Sequence, residues 1–374
     1  MEKRWGVVLR ITYGQMTSLV MLTIIVQLYS YAPSVMAEYA EHHLWISILI
    51  AIVLSTALGW SMFKLSLHFP DDSFLEVLKK ITGKYLGSLI GVSYCIYFFI
   101  LFIIHTQILV TTFKTLFLPT TPTSAILLLV LVFAFYSAYL EIEVLARASN
   151  ALLILLIATL TFLFLAVIPE IDVGNYQPFM PGNMAGIWHA TLIPFAVFGQ
   201  VIIVSAILPF VNKKNEKPKT KGFMVGIIFT FLISGLIVVE EIGVFSSYEL
   251  ERLQFPSVEL ITLIQMGEFL ERLEIFLVTL WAGSMFLVLG IFFTVSLLLL
   301  KQMRKKKNKG LGINLVFNII AFIICLRYLP DTASIVDFLF EKWIYLSLIF
   351  QTAIPILLIG VFLVRKKVIT HAKN

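Results

Sequence analysis

The chain has 374 residues, 59% of them hydrophobic and 13% charged, with a mean hydropathy of +0.96. Soluble domains are nearer 45 to 50% apolar and about 25% charged, so a soluble globular fold is excluded. The net charge of +6 does not indicate nucleic acid, because the basic residues stand in short runs between apolar stretches and build no basic face.

Ten stretches are each about long enough to cross a hydrocarbon layer of roughly 30 Å: 11–36, 43–66, 86–117, 123–140, 144–168, 184–211, 221–245, 272–300, 311–329 and 340–364. The first follows Lys3 and Arg4 as a signal peptide would, but it is long and nine more follow, so an uncleaved helix is expected. Lys114, Arg252, Arg272, Arg327 and Lys342 apart, every lysine and arginine falls on one side of the spans, which predicts both termini in the cytoplasm. Within span 1, Val26-Gln27-Leu28-Tyr29-Ser30 offers polar groups shortly before Pro33. Between spans 2 and 3, Ser73 and Glu76 fit a capping box and Gly83 a stop, predicting a short surface helix that carries Lys79 and Lys80. Between spans 4 and 5, Glu141, Glu143 and Arg147 are expected to pair at the cytoplasmic edge.

Span 6 carries a proline and a glycine mid-membrane in Pro194-Phe195-Ala196-Val197-Phe198-Gly199-Gln200. Pro194 removes a helix hydrogen bond and Gly199 admits unusual backbone angles, so a break is expected there. The acidic outer connection from Ser246 to Glu271 contains Pro256 and Ser257 followed by Val258, Ile261 and Ile264 at helical spacing, predicting an amphipathic helix across the outer mouth. Glu268, Glu271 and Glu274 surround Arg272 at distances that suit a structural ion pair anchoring the start of span 8.

Five spans per half turn the second half upside down relative to the first. The expected architecture is an all-α membrane protein, one domain over 1–374. It is built as a five-plus-five inverted repeat, about 11–168 and 184–364, with helices 1 and 6 broken near the midplane. The midplane holds neutral polar groups, Gln27, Tyr29, Ser30, Tyr94, Tyr97, His105, Gln200 and Ser284, which suit a neutral or zwitterionic solute. Cys95 and Cys325 lack metal-ligand spacing, His42 and His43 do not define a zinc site, and no phosphate loop or nucleophile elbow occurs. Neither enzyme activity nor a metal or other cofactor is expected.

One ordered set of segments resembles a known family. It runs from Phe255-Pro256-Ser257-Val258-Glu259-Leu260 through Gly267-Glu268-Phe269-Leu270-Glu271-Arg272-Leu273-Glu274 to Trp281. Gln15, Trp45-Ile46-Ser47, Pro119-Thr120-Thr121-Pro122, Ala146-Arg147 and Leu208-Pro209 support it. In these the chain resembles, across essentially its whole length, the B subunits of the nutrient receptors that trigger bacterial endospore germination. The resemblance implies a protein of the inner spore membrane, related to amino acid, polyamine and organocation transporters, which binds a germinant and acts with A and C subunits. The matching ligand-pocket positions are Val26, Gln27, Leu28, Tyr29 and Ser30 in span 1, Tyr97 in span 3, Phe195, Phe198, Gly199 and Gln200 in span 6, and Ser284 in span 8. Val26 and Leu28 stand where family members often carry glycines. An amino acid carrier with the same pocket and a purely structural subunit of an oligomeric channel are the competing expectations.

Overall fold

A computed structural model describes residues 11–27, 32–212, 219–263, 273–304, 311–328 and 331–371, with no account of the side chains at 141, 273–275, 332 and 366–371. Nine of the described helices are long and apolar enough to cross a membrane, and the shorter apolar helix Tyr13–Ile25 precedes them. This is an integral membrane protein, and no strand occurs among the described residues. With apolar residues on all sides, these helices have no water-facing stripe, and lipid or other helices cover each surface.

Span 1 is interrupted. Helix α1 (Tyr13–Ile25) opens on a capping box between Thr12 and Gln15 and ends at Val26; helix α2 (Ala32–Ala40) resumes after the break. Helix α3 (Leu44–Leu67) is span 2. Ser73 and Glu76 form the expected capping box of α4 (Phe74–Thr82), whose apolar face, Phe74, Leu75, Val77, Leu78 and Ile81, is buried. Helix α5 (Lys84–Leu116) is span 3.

The expected loop between spans 4 and 5 is absent: residues 141–143 are helical, within the 45-residue helix α6 (Thr123–Val167). No proline or glycine lies near 141 to interrupt the hydrogen-bond ladder, and Arg147 pairs with Glu143 one turn away, so the charges stabilise the helix instead of ending it. Two apolar windows remain, Thr123–Leu140 and Ile142–Glu170, each the length of one span.

Span 6 begins as α7 (Met184–Phe198), with Pro194 inside it, tightens into a 3₁₀ segment over Gly199–Ile203, and continues through α8 (Val204–Ile207). Its C-terminal end is joined to the N-terminal segment by a parallel bridge: Ile11 N–H donates to the Phe210 carbonyl at 3.1 Å and Asn212 N–H to the Ile11 carbonyl at 2.9 Å. Helix α9 (Thr220–Leu250) runs past the expected end of span 7 and kinks at Ser246, where φ is 61°. After it, α10 (Pro256–Thr262) starts at the predicted proline.

Helix α11 (Leu273–Arg304) is span 8 and α12 (Leu311–Tyr328) is span 9. The last span starts earlier than expected, as α13 (Thr332–Asp337), and passes through π-helical turns at Phe338–Trp343 and Ile349–Ala353 that flank α14 (Ile344–Leu348), before α15 (Ile354–His371). Two elements form the centre. An 18-residue apolar stretch within Met184–Phe210 is 89% buried and one within Phe276–Arg304 is 78%, against 22% for Leu311–Tyr328, so spans 6 and 8 are enclosed by protein while span 9 faces outward.

Candidate functional site

A helix end leaves its last carbonyls without partners, which is costly where no water reaches. At the end of α1 two side chains answer this need. Trp281 of α11 donates its indole N–H to the Val26 carbonyl at 3.0 Å, and the Gln27 amide reaches the Thr23 carbonyl. Gln27 then meets Gln200 from the 3₁₀ turn of span 6. Each amide Nε2 donates to the other's Oε1, both at 2.7 Å, so the two breaks are joined by a reciprocal amide pair.

Span 10 supplies the partner for the weakness in span 6. Gln351 is fully buried, and its Nε2 donates to the Ala196 carbonyl at 2.9 Å and to the Tyr97 hydroxyl at 2.7 Å. Gly199 has ordinary helical angles, φ −62° and ψ −15°, so backbone freedom is not why glycine stands there. Space is the reason: a Cβ at 199 would lie 2.1 Å from Gln351 Oε1.

Beside the amide pair lies a cavity of about 60 Å³. One water occupies roughly 10–15 Å³ by the same measure, so there is room for about four to six non-hydrogen atoms. Four helical faces build its wall. Val26, Gln27 and Ala32 come from the span 1 break; Leu101, Ile104, His105 and Ile108 form one stripe of α5; Ile193, Ala196, Val197 and Gln200 form one stripe of span 6; Trp281 and Met285 come from α11. Span 10 closes it with Leu339, Phe340 and Trp343 of its first π turn and Ile344 at the start of α14. No Asp, Glu, Lys or Arg is among these lining residues, so the described wall offers hydrogen bonds and apolar contact but no full charge.

The predicted site residues divide into three groups. Val26, Gln27 and Gln200 come together on the cavity wall. Phe195, Phe198, Gly199, Tyr97 and Ser284 are buried but lie off it, because the helical rotation of each element turns them elsewhere. Phe198 packs on Phe231 with ring centroids 4.6 Å apart, and Gly199 faces Gln351. Tyr97 stacks between Trp343 and Phe350, so it supports the cavity from behind. Ser284 is buried in α11 with an unpartnered hydroxyl. The third group lies outside the described residues: Leu28, Tyr29 and Ser30, and the proposed anchoring charges Glu268, Glu271 and Arg272, with the Glu274 side chain. Arg147 has its ion-pair partner in Glu143.

Gln351, Trp281 and the span 10 wall were missed as site residues. A lone glutamine inside an apolar span was the available signal for the first, and the local sequence held none for the π turns.

A second polar cluster joins α9, α10 and the segment before span 6. Glu240 and Glu241 of α9, expected only to close span 7, are buried. The Ser257 hydroxyl of α10 donates to Glu241 Oε1 at 2.5 Å, tying α10 to α9. Tyr176, in the segment before span 6, donates to the Val239 carbonyl at 2.9 Å; burial, and then the nearby Glu240, push its hydroxyl pKa above the usual tyrosine value.

Comparison with solved structures places this architecture among transporters. A nucleobase-cation-symport-1 family transporter, Mhp1, in a closed conformation with bromovinylhydantoin bound, superposes with a TM-score of 0.60 at 13% identity, covering 96% of this chain and 80% of that one. A mutant of the Eremococcus coleocola manganese transporter gives 0.60 at 16% identity, with 91% and 76% covered. At such identities the likeness establishes the fold alone: the five-plus-five inverted repeat with discontinuous helices 1 and 6. Among curated proteins, the spore germination protein YndE of Bacillus subtilis (strain 168) is 26% identical over 326 residues, 86% of this chain and 88% of that protein. Spore germination protein KB of the same organism is 27% identical over 339 residues, covering 85% and 87%. Residues 10–334 match the family described as spore germination protein, and the chain therefore belongs to that family.

Proposed function

We propose that this protein is the nutrient-sensing subunit of a spore germinant receptor, and that it holds a small germinant such as an amino acid in the cavity between the breaks of spans 1 and 6. The observation that carries this reading is the reciprocal Gln27–Gln200 amide pair on the cavity wall. It joins the two halves of the repeat at a place where a solute touching both amides would prefer one arrangement of the halves over another. A ligand shifts a conformational equilibrium only through such a difference in affinity, and the shift is what partner A and C subunits would read. The inverted repeat within a single membrane domain, cytoplasmic termini and residence in the inner spore membrane complete the proposal.

The test is direct. Labelled amino acids are offered to proteoliposomes containing only this chain, and saturable binding without accumulation is the expected result. Gln200→Leu should raise the germinant concentration needed for a half-maximal response at unchanged protein abundance. An unchanged dose response in an assembled receptor would rule the cavity out. A second reading, an amino acid permease using the same cavity, is favoured by the transporter fold and would reveal itself as accumulation of label against its gradient.

A further inference from the structure

His105 is buried at the centre of the α5 stripe that faces the cavity, flanked by Leu101, Ile104 and Ile108 at helical spacing. Its Nδ1 lies 2.6 Å from the Leu101 carbonyl. A carbonyl only accepts, so Nδ1 carries the hydrogen, and in the neutral ring Nε2 is left with a free lone pair. That Nε2 is buried and has no partner. The ring is held by its bond to Leu101 and by Phe292, 5.0 Å away between centroids, so it cannot turn to find a partner without giving up the first.

On the same wall the amide pair offers the opposite capability. Among the described residues, Gln27 uses both of its N–H groups, on Thr23 and Gln200, while Gln200 uses one on Gln27 and keeps a second. The described wall therefore carries both an unpartnered imidazole nitrogen and an amide with an uncommitted N–H, together with Trp281, Met285 and Trp343. We infer that His105 is the specificity-determining residue of this cavity, accepting a hydrogen bond through Nε2 from an N–H or ammonium group of the solute whose acceptor end meets Gln200. This rests on the proposed solute-binding reading and adds the chemical class: a small molecule with a donor at one end, an acceptor at the other and about four to six non-hydrogen atoms. A buried acceptor discriminates strongly, because a solute lacking the donor leaves it unpaired.

The experiment uses the purified full-length protein and two probes that differ only in the amine, L-alanine and propionate, with affinity read from ligand-dependent thermal stabilisation. Comparing the ratio of their affinities in wild type and variants cancels their difference in net charge. Wild type should favour L-alanine, and His105→Phe, which keeps a ring but removes the acceptor, should reduce the preference about tenfold or more. His105→Gln, which retains an acceptor, should restore part of it and carries the test should the phenylalanine variant not fold. An unchanged ratio in the folded variants overturns the assignment while leaving solute binding intact, as does an equal loss for both probes, which would make His105 a packing residue only. Failure of wild type to bind either probe saturably overturns both this assignment and the reading on which it rests.

Discussion

Gly199→Ala is expected to destabilise the protein through Gln351. The added Cβ would meet Gln351 Oε1 at 2.1 Å, Cδ at 2.8 Å and Cβ at 3.2 Å, so the amide must move by more than 1 Å, roughly, to restore ordinary contact. An amide end usually yields easily, but this one is fixed by bonds of 2.7 Å to Tyr97 and 2.9 Å to the Ala196 carbonyl, and both stretch beyond bonding range when it shifts. Hydrogen bonds between membrane helices contribute about 0.6 kcal/mol on average and up to about 1.7 each, so losing two costs about 1–3 kcal/mol. Thermal unfolding of the purified protein, with abundance as a second readout, measures this. Truncating Gln351 to alanine removes Oε1 and Cδ and leaves only the Cβ contact at 3.2 Å, so the alanine at 199 should cost at least about 1 kcal/mol less in that background. An equal cost in both backgrounds, or none in either, would refute the idea that glycine stands at 199 to admit Gln351.

Other outcomes follow from the same packing logic. Gly87→Ala should abolish accumulation of folded protein, since its Cβ would fall 2.6 Å from the Lys79 backbone where α4 lies on α5 and neither backbone can yield; wild-type abundance would contradict that packing. Ser257→Ala should cost about 1–3 kcal/mol in thermal unfolding, more than an ordinary surface serine, because it leaves the buried Glu241 carboxyl without its described donor; loss within about 0.5 kcal/mol would argue against the contact. The Asp331 carboxyl accepts from the Ser334 N–H at 2.8 Å, and that bond holds its pKa below the usual aspartate value. A lowered folded pKa means its cap is present above the unfolded pKa and is lost as pH falls through the folded one. Amide exchange at Ser334 should therefore accelerate in acid in wild type and show no such step in Asp331→Asn.

Some of this molecule is local in origin. Length and apolarity of each stretch are enough to specify spans, because the bilayer demands that backbone groups be paired within a helix. Ser73 with Glu76, and Pro256 before α10, act within one turn of their own position, so those boundaries were legible without knowing any neighbour. The weakness at Pro194 to Gly199 was visible for the same reason, as was the polar stretch at Gln27. The form of each break was not. Span 6 tightens into 3₁₀ beside a side chain that donates to its Ala196 carbonyl, and that partner, Gln351, stands 155 residues away in span 10. The cavity wall follows the same rule. Phe195, Phe198 and Gly199 share a segment with Ala196, Val197 and Gln200, and helical rotation against the neighbouring spans decides which of them face the solute. His105 shows the division most directly: the bond of one ring nitrogen to the Leu101 carbonyl is local to α5, whereas the burial of the other without a partner is decided by neighbouring elements such as Phe292 of span 8. Local chemistry fixes where a helix forms and where it weakens, while side-chain direction at the centre is set by contacts between segments far apart in the chain.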